Sequence, residues 1–239
     1  MSDTIYYPLT SPQLSIWYTE RMYPDTSISN VAGTLRIKDT VDLSIMEKAI
    51  NYYIRNNDGI RLRICLDDDG NPRQYVSEYE YKKIEIKDFS GFEDPVKAMQ
   101  EWDSQEVLKP LSLLNSDLFR FILIKIDNND AGIFFCFHHI IVDAWALGII
   151  KNGVLGLYRK LVMGIEDDIH SHEPSYISYI ENELAYKASD RYMKDKLFWE
   201  QQFHFQPEAT VLKTRKNNLV SIKSKRKTFI APKKFINKL

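Results

Sequence analysis

Two adjacent histidines and an aspartate follow an apolar segment, and this combination of side chains suits acid–base chemistry. They are His138, His139 and Asp143 in the stretch FFCFHHIIVDAWALGII, residues 134–150, of a sequence with only five histidines. Adjacent strand residues point to opposite faces, so one imidazole is predicted to point inward and the other outward. A strand end holds a side chain rigidly, and a general base needs a fixed ring angle and tautomer.

Metal binding is the main alternative use of histidine, and the spacing argues against it. Because His138 and His139 are predicted to point apart, they cannot easily bind one ion together. His170 and His172 lie in EDDIHSHEP, a predicted solvated loop with no third ligand at a suitable spacing, and His204 is predicted to be structural in an apolar helical context. The sequence has no Walker loop, dinucleotide fingerprint or G-x-S-x-G motif.

The composition is typical of a globular chain, and its net charge does not indicate a strongly charged partner. The 239 residues are 44% hydrophobic with a net charge of −1. No apolar run approaches a membrane span and no signal-peptide pattern follows Met1, so we expect a soluble, cytoplasmic protein without a membrane partner. Cys65 and Cys136 lie far apart in apolar contexts and are predicted to be buried, reduced thiols.

The charge is concentrated toward one end of the sequence. Residues 209–239 contain ten Lys or Arg and no acidic residue, which leaves 22 basic and 33 acidic residues elsewhere. The stretch KSKRKTFIAP passes into apolar residues as a solvated strand would, so we predict no nucleic-acid partner.

Hydrophobic periodicity predicts a mixture of helices and strands without strict alternation. One predicted helix lies within 9–24. A second begins at 42 and has the apolar face Leu43, Met46, Ile50, Tyr53 and Ile54. Further helices are predicted at 94–108, 146–164, 174–187 and 190–203. The first helix has Leu14, Trp17, Tyr18 and Met22 on one face. The predicted strands are 31–38, 60–66 with Arg61 and Arg63 on one face, 73–76, a hairpin of 118–126 and 132–137, and 219–231 before a helix start at PKKFINKL. The fold class is therefore α/β or α+β with a mixed sheet.

The stretch FHHIIVDAW resembles the HHxxxDG motif of condensation domains of nonribosomal peptide synthetases, which have the chloramphenicol-acetyltransferase-like fold. Four further segments are similar in the same order: LTSPQLSIWYTE, IRNNDGIRLRI, YISYIENE and KLFWEQQF. The resemblance covers residues 6–205. It implies a two-lobed domain in which 1–205 form the N-terminal lobe, and 206–239 a linker with the first strand and helix start of a truncated C-terminal lobe.

The resemblance also implies roles for five residues. His139 matches the catalytic histidine and His138 the structural one. Asp143 matches a loop-bracing aspartate that pairs with the arginine matched by Arg61. Ala144 departs from the motif glycine, and that would be costly if the position needed a positive φ.

The implied activity is amide bond formation between a donor acyl thioester and the amine of an acceptor aminoacyl thioester. Both arrive on the phosphopantetheine arms of carrier proteins, or the donor arrives as an acyl-CoA if this is a starter domain. No metal or directly bound cofactor is expected. The implied partners are donor and acceptor carriers, the missing C-terminal lobe and a downstream adenylation domain.

Two alternatives share the resemblance. An epimerisation domain has the same histidine pair, and a catalytically inactive lobe would only dock carriers; a heterocyclising relative is disfavoured because it has paired aspartates at the motif. The resemblance implies a reaction channel between the two lobes. Because such a channel needs both lobes, the 239-residue chain alone is expected to be inactive.

Overall fold

The structure is a computed structural model, and it describes residues 4–165 and 174–205. In these ranges the helices are α1 (Ser11–Met22), α2 (Leu43–Asn56), α3 (Pro95–Glu106), α4 (Ala144–Val162), α5 (Tyr176–Lys187) and α6 (Asp190–Gln202). The strands are β1 (Tyr7–Pro8), β2 (Asn30–Ile37), β3 (Leu62–Leu66), β4 (Pro72–Val76), β5 (Glu85–Asp88), β6 (Phe119–Asp127) and β7 (Asp130–His138).

The strands form two sheets, which confirms the mixed α/β class. The larger sheet has the order β2-β7-β6-β5, and the smaller has the order β1-β4-β3. Within the larger sheet β5 and β6 are parallel, whereas the other neighbours are antiparallel. The predicted hairpin is thus the centre of the larger sheet, flanked by strands on both sides.

The central hairpin is apolar at consecutive positions because both of its faces are buried. One face, with Phe121 and Phe137, packs against α2 and α4. The other, with Ile122 and Phe134, packs against α3. A strand enclosed on both sides has little freedom to shift, so β7 delivers His138 to a fixed place at its end.

Helix α2 begins where the sequence predicts and buries the predicted face. The Asp42 carboxylate accepts hydrogen bonds from the backbone N–H groups of Ser44 and Ile45 at 2.8 and 3.0 Å. Such a cap satisfies amides that have no partner inside the helix. The helix packs closely against α4, where Gly153 faces the ring of Tyr53.

Some predictions about individual elements are wrong. Arg61 lies in a 3₁₀ turn, Asp58–Arg61, and β3 begins only at Leu62, so Arg61 and Arg63 do not share a strand face. Tyr18 and Met22 are exposed, because the side of α1 that is buried carries polar residues as well as Trp17. Strands β1 and β5 were not predicted, since one has two residues and the other is a short polar edge strand.

The prediction for the two cysteines is confirmed, whereas several other predictions concern residues that the structure does not describe. Cys65 and Cys136 are free and buried, as predicted. The chain divides into two compact units between Lys196 and Leu197. The strand predicted at 219–231, the helix start after it, and the predicted loop with His170 and His172 lie outside the described residues.

We expect Gly153→Ala to destabilise the protein although alanine is the better helix former. A Cβ at residue 153 would overlap the Tyr53 ring, whereas a Cβ at Gly156 in the same helix would meet nothing within 4 Å. Overpacking a core contact costs about 1–3 kcal/mol, and Gly→Ala in an open helix position gains up to about 1 kcal/mol. Urea unfolding should therefore show opposite signs for Gly153→Ala and its control Gly156→Ala. Equal stabilisation by both would show that the helix contact is loose.

Candidate functional site

The two histidines are held by hydrogen bonds to different neighbouring segments. The backbone N–H of His138 donates to the carbonyl of Leu118 at 2.8 Å, and the backbone N–H of His139 donates to the carbonyl of Ser29 at 2.8 Å. Ser29 precedes β2 and Leu118 precedes β6, so the end of β7 is tied on both sides. The peptide between the histidines is therefore fixed in orientation, and their side chains point apart.

His138 points inward, as predicted, and is 1% exposed. Its Nδ1 accepts a hydrogen bond from the backbone N–H of Ile140 at 3.1 Å, so in the neutral ring Nε2 carries the proton. Nε2 lies 3.6 Å from Oε2 of Glu20, too far for a hydrogen bond. Burial, with a smaller contribution from the neighbouring His139, lowers the pKa of His138 to about 4. The ring is therefore neutral near pH 7.

His139 is exposed, and its ring orientation is set by a single backbone carbonyl. Its Nδ1 lies 2.7 Å from the carbonyl oxygen of Val142. A carbonyl only accepts, so Nδ1 carries the proton and Nε2 of the neutral ring is left with a free lone pair. This is the protonation pattern that a general base requires.

An open pocket of about 390 Å³ lies beside His139. Its wall is mostly apolar and includes Ile16, Ile141 and two tyrosines of α5. The rings of Tyr176 and Tyr179 lie 5.4 Å apart. Burial chiefly raises the pKa of Tyr176 to about 12, so its phenol is neutral at physiological pH.

Helix α5 carries two tyrosines of this wall, and it is held in place by residues distant in sequence. Sequence reasoning did not identify these contacts. The Asp58 carboxylate accepts hydrogen bonds from the Ser175 hydroxyl and, at 2.8 Å, from the Tyr176 N–H. The Ser11 N–H and hydroxyl both donate to Glu183 at 2.9 Å. The signal in the sequence was the similar segments containing Asp58 and Tyr176, but their contact was not inferred.

The predicted pairing of Asp143 with Arg61 is wrong. Asp143 precedes α4, and its Oδ1 accepts a hydrogen bond from the Ala146 N–H at 2.8 Å. The Arg61 guanidinium donates instead to the carbonyl of Arg55 at 3.1 Å. No ion pair joins Asp143 and Arg61, both of which are described residues. Asp143 is exposed, and its carboxylate finds a hydrogen-bond donor among the amides at the start of α4, which have no acceptor inside the helix.

Ala144 is the first residue of α4, and its backbone does not require glycine. Asp25 and Asn115 are the two non-glycine residues with positive φ in the described ranges. The strain that a positive φ would impose is therefore absent at Ala144, because a helical φ suits alanine.

The sequence also offered His204 and possible metal ligands as candidate groups. His204 follows α6, is exposed, and lies with its Nδ1 3.0 Å from the Gln201 carbonyl, so the predicted structural role in an apolar setting is wrong. Within 4–165 and 174–205, no three His, Cys, Asp or Glu side chains come together as a metal site would need. No helix in those ranges is long and apolar enough to span a membrane.

Comparisons with known proteins agree on one family. The family model described as "Condensation domain" matches residues 4–239. Surfactin synthase subunit 1 of Bacillus subtilis (strain 168) is 41% identical over 216 residues, which are 88% of this chain and 6% of that protein. A plipastatin synthase subunit of the same organism is 39% identical over 198 residues, 82% of this chain and 8% of that protein.

Solved structures show the same likeness. The starter condensation domain of rhizomide synthetase has a TM-score of 0.77 and 25% identity, and the match covers 83% of this chain and 48% of that one. A variant of that domain in complex with C8-CoA has a TM-score of 0.79 and 25% identity over 88% of this chain and 48% of that one. The chain thus spans about half the length of these solved domains and a small part of the curated synthases.

We expect Asp143→Ala to cost about 1 kcal/mol of unfolding free energy, the usual value for a lost helix cap. Loss of one partner from a buried ion pair would instead cost about 3–5 kcal/mol. Asp143→Ser, which retains a capping oxygen, is the matched control and should recover most of the loss. Urea unfolding measures all three proteins, and a loss near 4 kcal/mol would contradict the assignment of Asp143 as a cap.

The lowered pKa of His138 predicts a pH dependence of stability. Between pH 6.5 and about 4 the unfolded chain binds a proton at this residue that the folded protein does not. The free energy of unfolding therefore falls as the pH drops through this window, by at most about 3 kcal/mol.

The matched variant for this test is His138→Asn, which retains an acceptor for the Ile140 N–H but does not titrate. Urea unfolding of both proteins between pH 7 and 4 should show the steeper decline in the parent. Parallel declines would show that His138 is not held neutral by burial.

Proposed function

Because the chain belongs to the condensation domain family of nonribosomal peptide synthetases, we propose that it contributes His139 as the general base of amide bond formation. The acceptor is the amine of an aminoacyl thioester, and the donor is an acyl thioester. The observation that carries this proposal is the hydrogen bond from His139 Nδ1 to the Val142 carbonyl, which leaves Nε2 as an acceptor beside an open pocket.

The proposed reaction needs one proton acceptor at the attacking nitrogen. The amine nitrogen attacks the thioester carbonyl carbon, the C–N bond forms, and the C–S bond breaks. The proton lost by the nitrogen passes to Nε2 of His139 and from there to the departing thiolate. An α-amino group has a pKa near 8, so attack at neutral pH draws on a minor neutral form, and general base catalysis contributes about 10²–10⁴ in rate.

The surroundings of His139 support this role. The neutral His138 places no positive charge beside the imidazole that must accept a proton. The mostly apolar wall with Tyr176 and Tyr179 would keep water from the thioester, for which hydrolysis is the competing reaction. His139 can also act by orienting the amine through a hydrogen bond, and positioning of this kind lowers the barrier as well.

Carrier proteins are the proposed partners, and their phosphopantetheine arms supply the thioesters. The chain itself needs no bound cofactor for the proposed steps. The donor is carried by a carrier protein or arrives as an acyl-CoA, and the similar rhizomide starter domain in complex with C8-CoA supports testing the second form. We further propose that a C-terminal lobe completes the channel and that an adenylation domain loads the acceptor carrier.

We expect His139→Ala to lower condensation turnover by about 10²–10⁴, with substrate KM changed much less, because the base acts only in the chemical step. The assay uses a synthetase protein in which this lobe is accompanied by a second lobe, with an acyl carrier or C8-CoA as donor and a loaded acceptor carrier. The exposed His204→Ala is the matched control and should leave turnover unchanged. We expect no turnover from the 239 residues alone.

The alternatives predict different outcomes. An epimerisation domain would convert the acceptor aminoacyl group from L to D without any donor, and His139→Ala would abolish that conversion. A lobe that only docks carriers would bind them equally well with or without His139 and would show no turnover. Undiminished condensation by His139→Ala would overturn the proposed role of this residue.

A further inference from the structure

Two buried glutamine amides lie behind the turn that carries His139. Gln13 of α1 is 2% exposed and Gln74 of β4 is 0% exposed. The amides bond reciprocally, because the Nε2 of each donates to the Oε1 of the other at 2.8 Å. Buried amides are costly unless their donors and acceptors are paired, so the remaining groups of this pair must also have partners.

Each remaining amide proton has a backbone carbonyl as its partner. The second Nε2 proton of Gln74 goes to the Pro8 carbonyl at 2.8 Å, and that of Gln13 goes to the Ile140 carbonyl at 3.2 Å. Gln13 Oε1 also accepts the Thr10 N–H at 2.9 Å. Only the oxygen of Gln13 can accept from that N–H, so its nitrogen must face Ile140.

The Ile140 carbonyl belongs to the turn that fixes the His139 ring. The N–H of Ile140 donates to Nδ1 of His138, and its carbonyl accepts from Gln13. The peptide groups on both sides of Ile140 are thus held from the protein interior. The carbonyl of Val142, which binds Nδ1 of His139, lies two residues further along the same turn.

We propose that Gln13 is a positioning residue for His139. By binding the Ile140 carbonyl, it keeps the turn in the conformation in which the Val142 carbonyl selects the Nδ1-protonated ring. This inference rests on the proposed function for its effect on rate, whereas its effect on the ring is independent of any activity. Gln74 completes the amide pair but makes no hydrogen bond to the turn, which provides a control of the same chemistry.

The direct test is the tautomer of His139, measured by NMR on protein labelled with ¹⁵N at histidine. The His139 signals are assigned by their loss in His139→Gln. In the parent protein at a pH where the ring is neutral, Nδ1 should carry the proton. In Gln13→Met the Ile140 carbonyl loses its donor, so we expect the Nε2-protonated form to appear.

The matched control is Gln74→Met, which removes one amide from the same buried pair without touching the turn. Urea unfolding should show a loss of stability for both variants, and the larger loss for Gln13→Met, which also leaves the Thr10 N–H without its acceptor. Gln74→Met should nevertheless retain the parent tautomer of His139. If both variants shift the tautomer equally, general loosening of the core explains the effect and the inference is wrong.

Turnover gives a second measurement. Gln13→Met should lower kcat by about 10- to 100-fold with KM within about twofold, because a misplaced base affects the chemical step more than binding. If Gln13→Met does not fold, Gln13→Glu replaces it, measured at a pH at which NMR shows the introduced carboxyl to be ionised, since the carboxylate still accepts from Thr10 but cannot donate to Ile140. An unchanged tautomer in the folded variant overturns the inference. A shifted tautomer in a protein whose condensation does not depend on His139 supports the inference and overturns the proposed function.

Discussion

The arrangement of the described residues depends on one constraint, that backbone polar groups removed from water must find partners. The turn after β7 contains Ile140 and Val142, which are both buried. Its N–H groups and carbonyls are bound by Leu118, Ser29, the His138 ring and the Gln13 amide. The same requirement that stabilises the turn also leaves one imidazole buried and neutral and the other exposed with a free lone pair.

The elements that the sequence predicts well are those whose burial is one-sided or complete. The apolar face of α2, the cap at Asp42 and the consecutive apolar residues of β6 and β7 each follow from local patterns, and the structure has them where expected. The exposed and buried histidines also follow from local geometry, because alternation along a strand is short-range. These features need no knowledge of distant contacts.

Some of the features that sequence reasoning missed depend on contacts between distant residues. Asp143 is a local exception, because its partner is the Ala146 N–H three residues later, while Arg61 lies in a 3₁₀ turn and bonds to the Arg55 carbonyl. Gln13 and Gln74 are 61 residues apart, and polar side chains of this kind are ordinarily predicted to be exposed. Their burial becomes predictable only once β4 and α1 are known to meet at the turn.

The attachment of α5 has a consequence for the order of folding. Its first turn is capped by Asp58, which is 118 residues earlier than Tyr176, so this cap forms only after a very long loop has closed. Long-range contacts of this kind form late, because the entropy of closure is lost before the contact stabilises anything. The tyrosine wall of the pocket is therefore expected to assemble after the β6–β7 hairpin, whose strands are neighbours in sequence. In the native protein the same helix end is expected to open more easily than the β6–β7 hairpin, and amide hydrogens there should exchange earlier than those of the hairpin.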